Sequence, residues 1–443
     1  MSDANDAQHA AKDAPAPSLR AAIWSRRCLT MSALGFASGL PFAIANETSG
    51  VLLAEMKIDR TTIGTLGAIG SIYAFKFVWS PLVDAVPVPG LSWLGRRRSW
   101  LVATQVPMIA AIAMLAVTMP GSVDASLRGF LAVLIVLAIL SATQDIVVNA
   151  WTVDAFPRRE VGIGSAMSVA GYRVALLAGG AAAPVIAAWA GWSVAFVSMA
   201  ALLGVGLVTT LLAPEPLVAE RSPRGGDSLF EPAGELFHRL GAWFFGVVLL
   251  VLLLRLPDQL GNAMQKPLLL DTLGYAKEQY GVLRNGVGLF ATLAGSFLGG
   301  IAVARFGMFA TLVVGAILAA LSNLGFAWLA VSVAPMGGTP QPWTAAPMMR
   351  LLAVGAFENL TGGMVATAFV AWLMSLCARR HAATQYAILS GAMAFSGGVA
   401  SWASGHLSKA MSWPQFFVVT AVAGIPGLLL VPFAVLRTRP AED

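Results

Sequence analysis

Twelve long apolar runs follow one another along the chain, each closed by a short polar break. They fall at about 28–54, 61–83, 99–119, 127–152, 162–188, 192–213, 242–270, 281–304, 308–334, 347–376, 384–407 and 413–436. A helix rises about 1.5 Å per residue, so about 20 apolar residues cross the hydrocarbon of a bilayer. The runs are rich in Ala, Leu, Gly and Val and lack the short alternation of barrel strands. The pattern therefore predicts an all-α polytopic membrane protein with twelve transmembrane helices. The longest polar interruption, 214–240, divides them six and six. It predicts bundles at 28–213 and 241–436, a cytosolic linker between them, and cytosolic tails at 1–27 and 437–443.

Composition points to lipid as the main solvent. Of the residues 57% are hydrophobic and 11% charged, with mean hydropathy +0.75, against roughly 25% charged in an ordinary soluble domain. The net charge of +6 would suggest nucleic acid in a soluble protein. Here the cations gather in alternate loops. With the N-terminus inside, about 17 Lys and Arg lie in cytoplasmic segments against 5 (Lys57, Arg60, Arg128, Lys277 and Lys409) outside, the asymmetry that sets topology. Both termini are expected in the cytosol, and nucleic acid is not an expected partner. The polar start of the chain lacks the basic-then-apolar order of a signal peptide. Cys28 and Cys377 stand far apart, offering neither a disulfide framework nor a metal cluster. No HExxH, GxSxG or GxxxxGK[ST] string occurs, so neither an enzyme nor an ATP-driven pump is expected, and no cofactor.

Charge inside the spans is where chemistry belongs, because an ionised group in hydrocarbon costs several kcal/mol unless it faces a partner or a wet cavity. Several such groups recur at helical spacing. Tyr73, Lys76, Ser80 and Asp84 form a stripe in the second span; Ser141, Asp145, Asn149 and Thr152 in the fourth; Arg255, Asp258, Gln259, Asn262 and Lys266 in the seventh. Glu358 and Thr361 share a face of the tenth, Arg284 and Asn285 enter the eighth, and Glu47 sits in the outer part of the first. These stripes predict a water-filled cavity between two bundles. Lys76, Arg173, Arg255, Lys266 and Arg284 against Glu47, Asp145, Asp258 and Glu358 leave it slightly basic, suited to an anionic or zwitterionic solute. The candidate substrate contacts are Tyr73, Lys76, Gln144, Arg173, Arg255, Asn262, Lys266 and Asn359. Asp145 and Glu358, then Glu47 and Asp258, are the candidate proton carriers, since a carboxylate that exchanges burial for a cationic neighbour can load and release a proton. Structural roles compete with these. Arg255 and Asp258, at i and i+3, also read as a self-neutralising pair; Lys76 and Arg173 read also as snorkelling or as holding acidic neighbours such as Asp145, with a helix-locking role for Arg173 equal to ligand binding; Arg284 and Arg350 read first as interface anchors; His381 and His406 read as solvated.

The halves resemble each other. A shift of 221 residues lays Gly191-Trp192, opening the sixth span, on Ser412-Trp413, opening the twelfth. Two parallel six-helix repeats around a central cavity is the architecture of the major facilitator superfamily. Asp84 followed by Gly95, Arg96, Arg97 and Arg98 is similar to that superfamily's loop motif, although topogenic charge alone would also place the three arginines there. More specific strings occur in order: SIYAFKFVWSPLVDAV, GRRRSW, SATQDIVVNAWTVDAFP, GYRVALLAGG, RLPDQLGNA, FENLTGGMVATAFVAWLMSLC and ATQYAILS. Along nearly the whole chain these resemble the AmpG family of muropeptide permeases. The resemblance implies a monomeric, proton-coupled importer of N-acetylglucosaminyl-anhydro-N-acetylmuramyl peptides in the cytoplasmic membrane, with Lys76, Asp84, Gln144, Asp145, Trp151, Arg173, Asp258, Glu358 and Asn359 on motif positions. The chain departs from the family at Asn149, often acidic there, and at Thr152, often basic. Acetyl-coenzyme A and iron-siderophore importers are the alternatives within the same broad group.

Overall fold

The computed structural model describes residues 24–56, 72–118, 124–157, 160–216 and 231–437. Nine helices among them are long and apolar enough to cross a membrane. The first span is Arg26–Leu53, the third Arg96–Leu115, the fourth Leu127–Ala155, the fifth Val161–Ala190 and the sixth Trp192–Leu212. In the second half the seventh is Trp243–Thr272, the tenth Ala346–Ser375 and the twelfth Trp413–Val435. The seventh of these nine helices in chain order, Gly288–Ser332, bends at Gly307, whose φ of 80° only glycine adopts freely; its two arms are the eighth and ninth spans. The eleventh, Ala382–Ala410, is 29 residues long but more polar, carrying Thr384, Gln385, Ser390, Ser396 and Ser404. Of the second span, the turn Lys76–Val78 and the helix Ser80–Ala85 are described, whereas 57–71, with the expected outer cations Lys57 and Arg60, lie outside the described residues. Among the described residues there is no strand.

Glycine sets how closely the spans approach. A side chain at Gly171 in the fifth span would put its Cβ 1.8 Å from the carbonyl oxygen of Ser32 in the first. Gly295 in the eighth would meet the Leu360 carbonyl of the tenth at 1.9 Å. Between membrane helices, where no hydrophobic effect drives association, such backbone contact supplies dispersion that a larger residue would forfeit.

The duplication suggested by the two tryptophans is visible in their bonds. Trp192 Nε1 donates to Glu55 Oε2 at 2.9 Å, and Trp413 Nε1 donates to Thr272 Oγ1 at 2.9 Å. Each ties the start of the last span of its half to the end of that half's first span.

Two expectations are corrected here. The segment 214–240 is not all loop, because Glu231–Leu240 forms a helix with Leu236 and Leu240 buried. Arg239 on that helix pairs with Glu235 at 2.8 Å and donates to the Leu376 carbonyl, and Gln385 bonds Glu235, so the helix docks on the start of the eleventh span. His381, expected to be solvated, is buried at the same junction, because the helix Ser80–Ala85 and the fourth span pack against the turn on which it sits.

Candidate functional site

A cavity of about 230 Å³ lies between the two halves. The first half contributes Glu47 and Arg173, and the second Arg255, Asp258, Asn262, Arg284, Thr292, Glu358 and Asn359. Local backbone irregularity aims several of these groups inward. Glu47 sits in a widened turn, Ile44–Thr48, and Arg284 in another, Leu283–Val287. Such one-turn expansions shift helical register and gather at functional sites. The Glu47 turn is held by Thr48 Oγ1, which donates to the Gly179 carbonyl at 2.7 Å, and by the bare Cα of Gly180, since a Cβ there would fall 1.9 Å from Glu47 Oε2. In the seventh span Pro257 breaks the helix between Leu254 and Leu256. Arg255 occupies the break and pairs with Asp258, Nε to Oδ2 3.6 Å. The pair thus neutralises itself, as its spacing allows, and it lines the cavity.

Charge in the cavity is balanced, with three guanidinium groups and three carboxylates. Glu47 feels Arg284 and Arg173 electrostatically, and Glu358 feels Asp258, Arg284 and Arg173. The field therefore joins one half to the other. Asn359 Nδ2 donates to Glu358 Oε2 at 2.7 Å and Thr292 Oγ1 to Asn359 Oδ1 at 3.2 Å, which fixes the carboxylate's orientation. Arg173 Nε is buried without a hydrogen-bond partner, so a donor stands available beside the cavity. A zwitterionic or anionic solute with several polar groups matches such a surface better than an apolar one.

The remaining candidates are placed elsewhere. Lys266 is exposed, one turn beyond Asn262, and does not line the cavity, so the interior is balanced rather than slightly basic. Lys76 is ion-paired with Asp145, whose other oxygen accepts from Ser38 Oγ at 3.2 Å. Of the two cations that could hold Asp145, Lys76 does so, meeting the fourth span directly, while Arg173 turns to the cavity. Tyr73 donates to Ser141 Oγ at 2.7 Å and belongs to the same polar layer of the first half. Gln144 is fully buried and both its amide atoms lack a protein partner. Arg284, expected at an interface, is instead a cavity residue.

Arg97 is likewise more than topogenic charge. It is fully buried and bridges two carboxylates, Asp84 (Nη1 to Oδ1, 3.1 Å) and Asp154 (Nε to Oδ2, 2.8 Å). Arg96 Nη1 donates to the Asp84 carbonyl at 2.8 Å. Gly95, with φ 95°, opens the third span; there Glu215 accepts from the backbone N–H of Arg97 at 2.6 Å and of Arg98 at 3.0 Å, the anion placement a helix N-terminus favours. Burial pushes the Glu215 carboxyl above its ordinary range. Asp84 reaches further, accepting from the backbone N–H of Ala383 at 3.2 Å and of Thr384 at 2.7 Å, at the start of the eleventh span. Nearby, Ser165 of the fifth span contacts Met374 of the tenth at 3.3 Å, and Gly162 and Ala166 pack on Gly300. The end of the molecule bearing the linker is therefore sealed across the two halves, with the charged cavity on the far side of the seal. Sequence reasoning found Asp84 and Arg97 but not Asp154 or Glu215; an acid closing the fourth span and one just past the sixth were the available signals.

Comparison with known proteins agrees with this geometry. The Major Facilitator Superfamily profile matches residues 28–349. The anhydromuropeptide permease of Escherichia coli (strain K12) is 38% identical over 404 residues, covering 90% of this chain and 77% of that protein. The AmpG 4 protein of Rickettsia conorii (strain ATCC VR-613 / Malish 7) is 32% identical over 409 residues, 90% of this chain and 94% of that one. Among solved structures, the transporter FucP in its outward conformation superposes with a TM-score of 0.64 at 14% identity, covering 93% of this chain and 99% of that one. A bacterial homologue of the iron transporter ferroportin superposes with a TM-score of 0.61, also at 14% identity, covering 93% and 98%. Fold and cavity are those of a multi-pass membrane transporter, not of an enzyme. The chain belongs to the major facilitator superfamily and, within it, to the AmpG family of permeases.

Proposed function

We propose that the protein imports anhydromuropeptides, N-acetylglucosaminyl-anhydro-N-acetylmuramyl peptides, across the bacterial cytoplasmic membrane as a monomer driven by proton symport. The observation that carries the reading is the 38% identity, over 90% of the chain, to a protein named as an anhydromuropeptide permease. The balanced cavity supports it, since a peptide with several carboxylates and an amine offers a counter-charge to both kinds of side chain. Substrate contacts then fall to Arg173, Arg255, Asn262, Arg284 and Asn359. Proton exchange falls to Glu358, which faces both an acid and two arginines, with Glu47 and Asp258 behind it; Asp145, a candidate by sequence, is held by Lys76 outside the cavity. The sealed end faces the cytosol together with both termini, a reading supported by the distribution of Lys and Arg.

The test is a competition assay. Purified protein in proteoliposomes takes up labelled anhydromuropeptide, and unlabelled muropeptide, acetyl-coenzyme A and an iron-siderophore are offered in excess. Displacement by muropeptide alone is expected; displacement by acetyl-coenzyme A or the siderophore with no effect of muropeptide would replace the substrate assignment.

A further inference from the structure

A second cavity, of about 440 Å³, opens on the sealed end of the molecule, outside the central site. Its wall is basic. Arg26 and Arg27 at the start of the first span and Arg379 in the turn between the tenth and eleventh spans line it, with Thr30 and Trp151 beside them. Two acids also line it; both oxygens of Glu215 and Oδ2 of Asp154 are engaged, while Asp154 Oδ1 has no hydrogen-bond partner among the described residues. Glu215 spends its oxygens on the backbone N–H groups of Arg97 and Arg98, and Asp154 is paired with the fully buried Arg97. Arg26 is braced by a hydrogen bond from Nη2 to the Leu212 carbonyl at 2.8 Å, and Arg98 donates to the carbonyls of Thr210 and Leu211 just behind the wall. Among the described residues that line the cavity the three arginines outnumber the two acids, and guanidinium forks are suited to tetrahedral oxyanions.

We propose that this cavity binds a phosphate-bearing anion, and that the bound anion steadies the sealed arrangement. The geometry gives the reason: Arg26 and Arg27 belong to the first half and Arg379 to the second, so one anion between them ties the halves together beside the Asp84 contact. It rests on the cytosolic orientation proposed above but not on the transported solute. Free phosphate compounds and the headgroup of an acidic phospholipid carry the same chemistry, and basic pockets at the cytosolic end of membrane helices serve both.

The test uses full-length protein in detergent, with inorganic phosphate titrated against chloride at matched ionic strength. Phosphate is expected to raise the thermal unfolding midpoint saturably and to slow maleimide labelling of Cys377, which is buried at the seal. Arg27→Gln and Arg379→Gln should lose both effects, while Lys409→Gln, in the last turn of the eleventh span, keeps them. Arg27 is exposed, so its replacement should leave the midpoint without phosphate near wild type. A second arm compares nanodiscs of phosphatidylethanolamine with and without phosphatidylglycerol. If phosphate is inert but phosphatidylglycerol raises the wild-type midpoint and not that of Arg27→Gln, the ligand is a lipid headgroup and the site stands. An effect equally given by chloride, an effect retained in Arg27→Gln, or inertness of both phosphate and phosphatidylglycerol overturns the proposal. None of these outcomes depends on whether muropeptide is carried.

Discussion

The carboxylate of Asp84, in the second span, accepts a hydrogen bond from the backbone N–H of Thr384 at 2.7 Å, across 300 residues of sequence. The same carboxylate accepts from the Arg97 guanidinium and the Ala383 amide. One buried group thus holds the third span, through Arg97, and closes one half on the other. A transporter must break that closure to release solute on the sealed side, so the contact belongs to one state of the cycle.

Asp84→Asn should loosen the seal. A neutral amide forms weaker bonds to the two backbone donors and leaves Arg97 with Asp154 alone; losing one partner of a buried ion pair costs about 3–5 kcal/mol. Cys377 reports the change. Burial pushes its thiol pKa up, so in the sealed state it holds little thiolate at pH 8. Opening restores both access and an ordinary pKa. Maleimide labelling at pH 8 is expected to accelerate at least tenfold in Asp84→Asn; an unchanged rate would mean that Asp84 does not hold the seal.

Lys76 and Asp145 are expected to act as a structural pair. Lys76→Met leaves the Asp145 carboxylate without its cation and should lower the yield of folded protein, as should Asp145→Leu, each by about 3 kcal/mol of stability. The double replacement, apolar on both sides, should recover most of the loss, because neither charge is then stranded. Folded yield by size-exclusion chromatography of the four proteins decides it. Equal additive losses would show that the two residues act independently.

The long-range partners explain what could be read in the chain beforehand. The helical spans and the repeat marked by Trp192 and Trp413 follow from hydropathy and spacing, which the membrane enforces locally. Placement of Arg255, Asp258 and Asn262 on one wall followed from helical period. Arg284 did not, because the widened turn Leu283–Val287 alters the register on which such periods depend. Lys266 continued the stripe on paper yet lies beyond the cavity. The partner of Asp145 was open between two cations, since sequence order carries no distance between spans. The Asp84 contact was invisible for another reason: its partners at Ala383 and Thr384 are backbone amides, which any residue supplies.

Glu215 gives a pH signature. Its folded pKa is raised above the ordinary glutamate value, chiefly by burial, so the folded state binds its proton more readily than the unfolded chain. The stability it contributes is full below that ordinary value and is lost as pH rises through the raised folded one. Glu215→Gln removes that component. The difference in unfolding midpoint between wild type and the variant is expected to move against wild type from pH 4 to pH 7; a difference independent of pH would contradict the burial of this carboxyl.

Transport should track the cavity wall rather than cationic charge in general. Arg284→Gln and Arg173→Gln are each expected to lower uptake at subsaturating solute by about tenfold or more, the size of one lost charge-assisted hydrogen bond of about 1.5–3 kcal/mol. Lys266→Gln, outside the wall, should stay within about twofold of wild type at equal protein. Loss at Lys266 with none at Arg284 would move the solute path away from the cavity.

The most direct measurement is accumulation of labelled anhydromuropeptide by proteoliposomes under an imposed gradient, alkaline inside, for wild type and Glu358→Gln together. Wild type is expected to concentrate the muropeptide above the external level and to stop when the gradient is collapsed. Glu358→Gln should still exchange labelled for unlabelled solute without concentrating it. Concentration of muropeptide by wild type regardless of the gradient, or its absence beside robust uptake of acetyl-coenzyme A or an iron-siderophore, would contradict proton-driven muropeptide import.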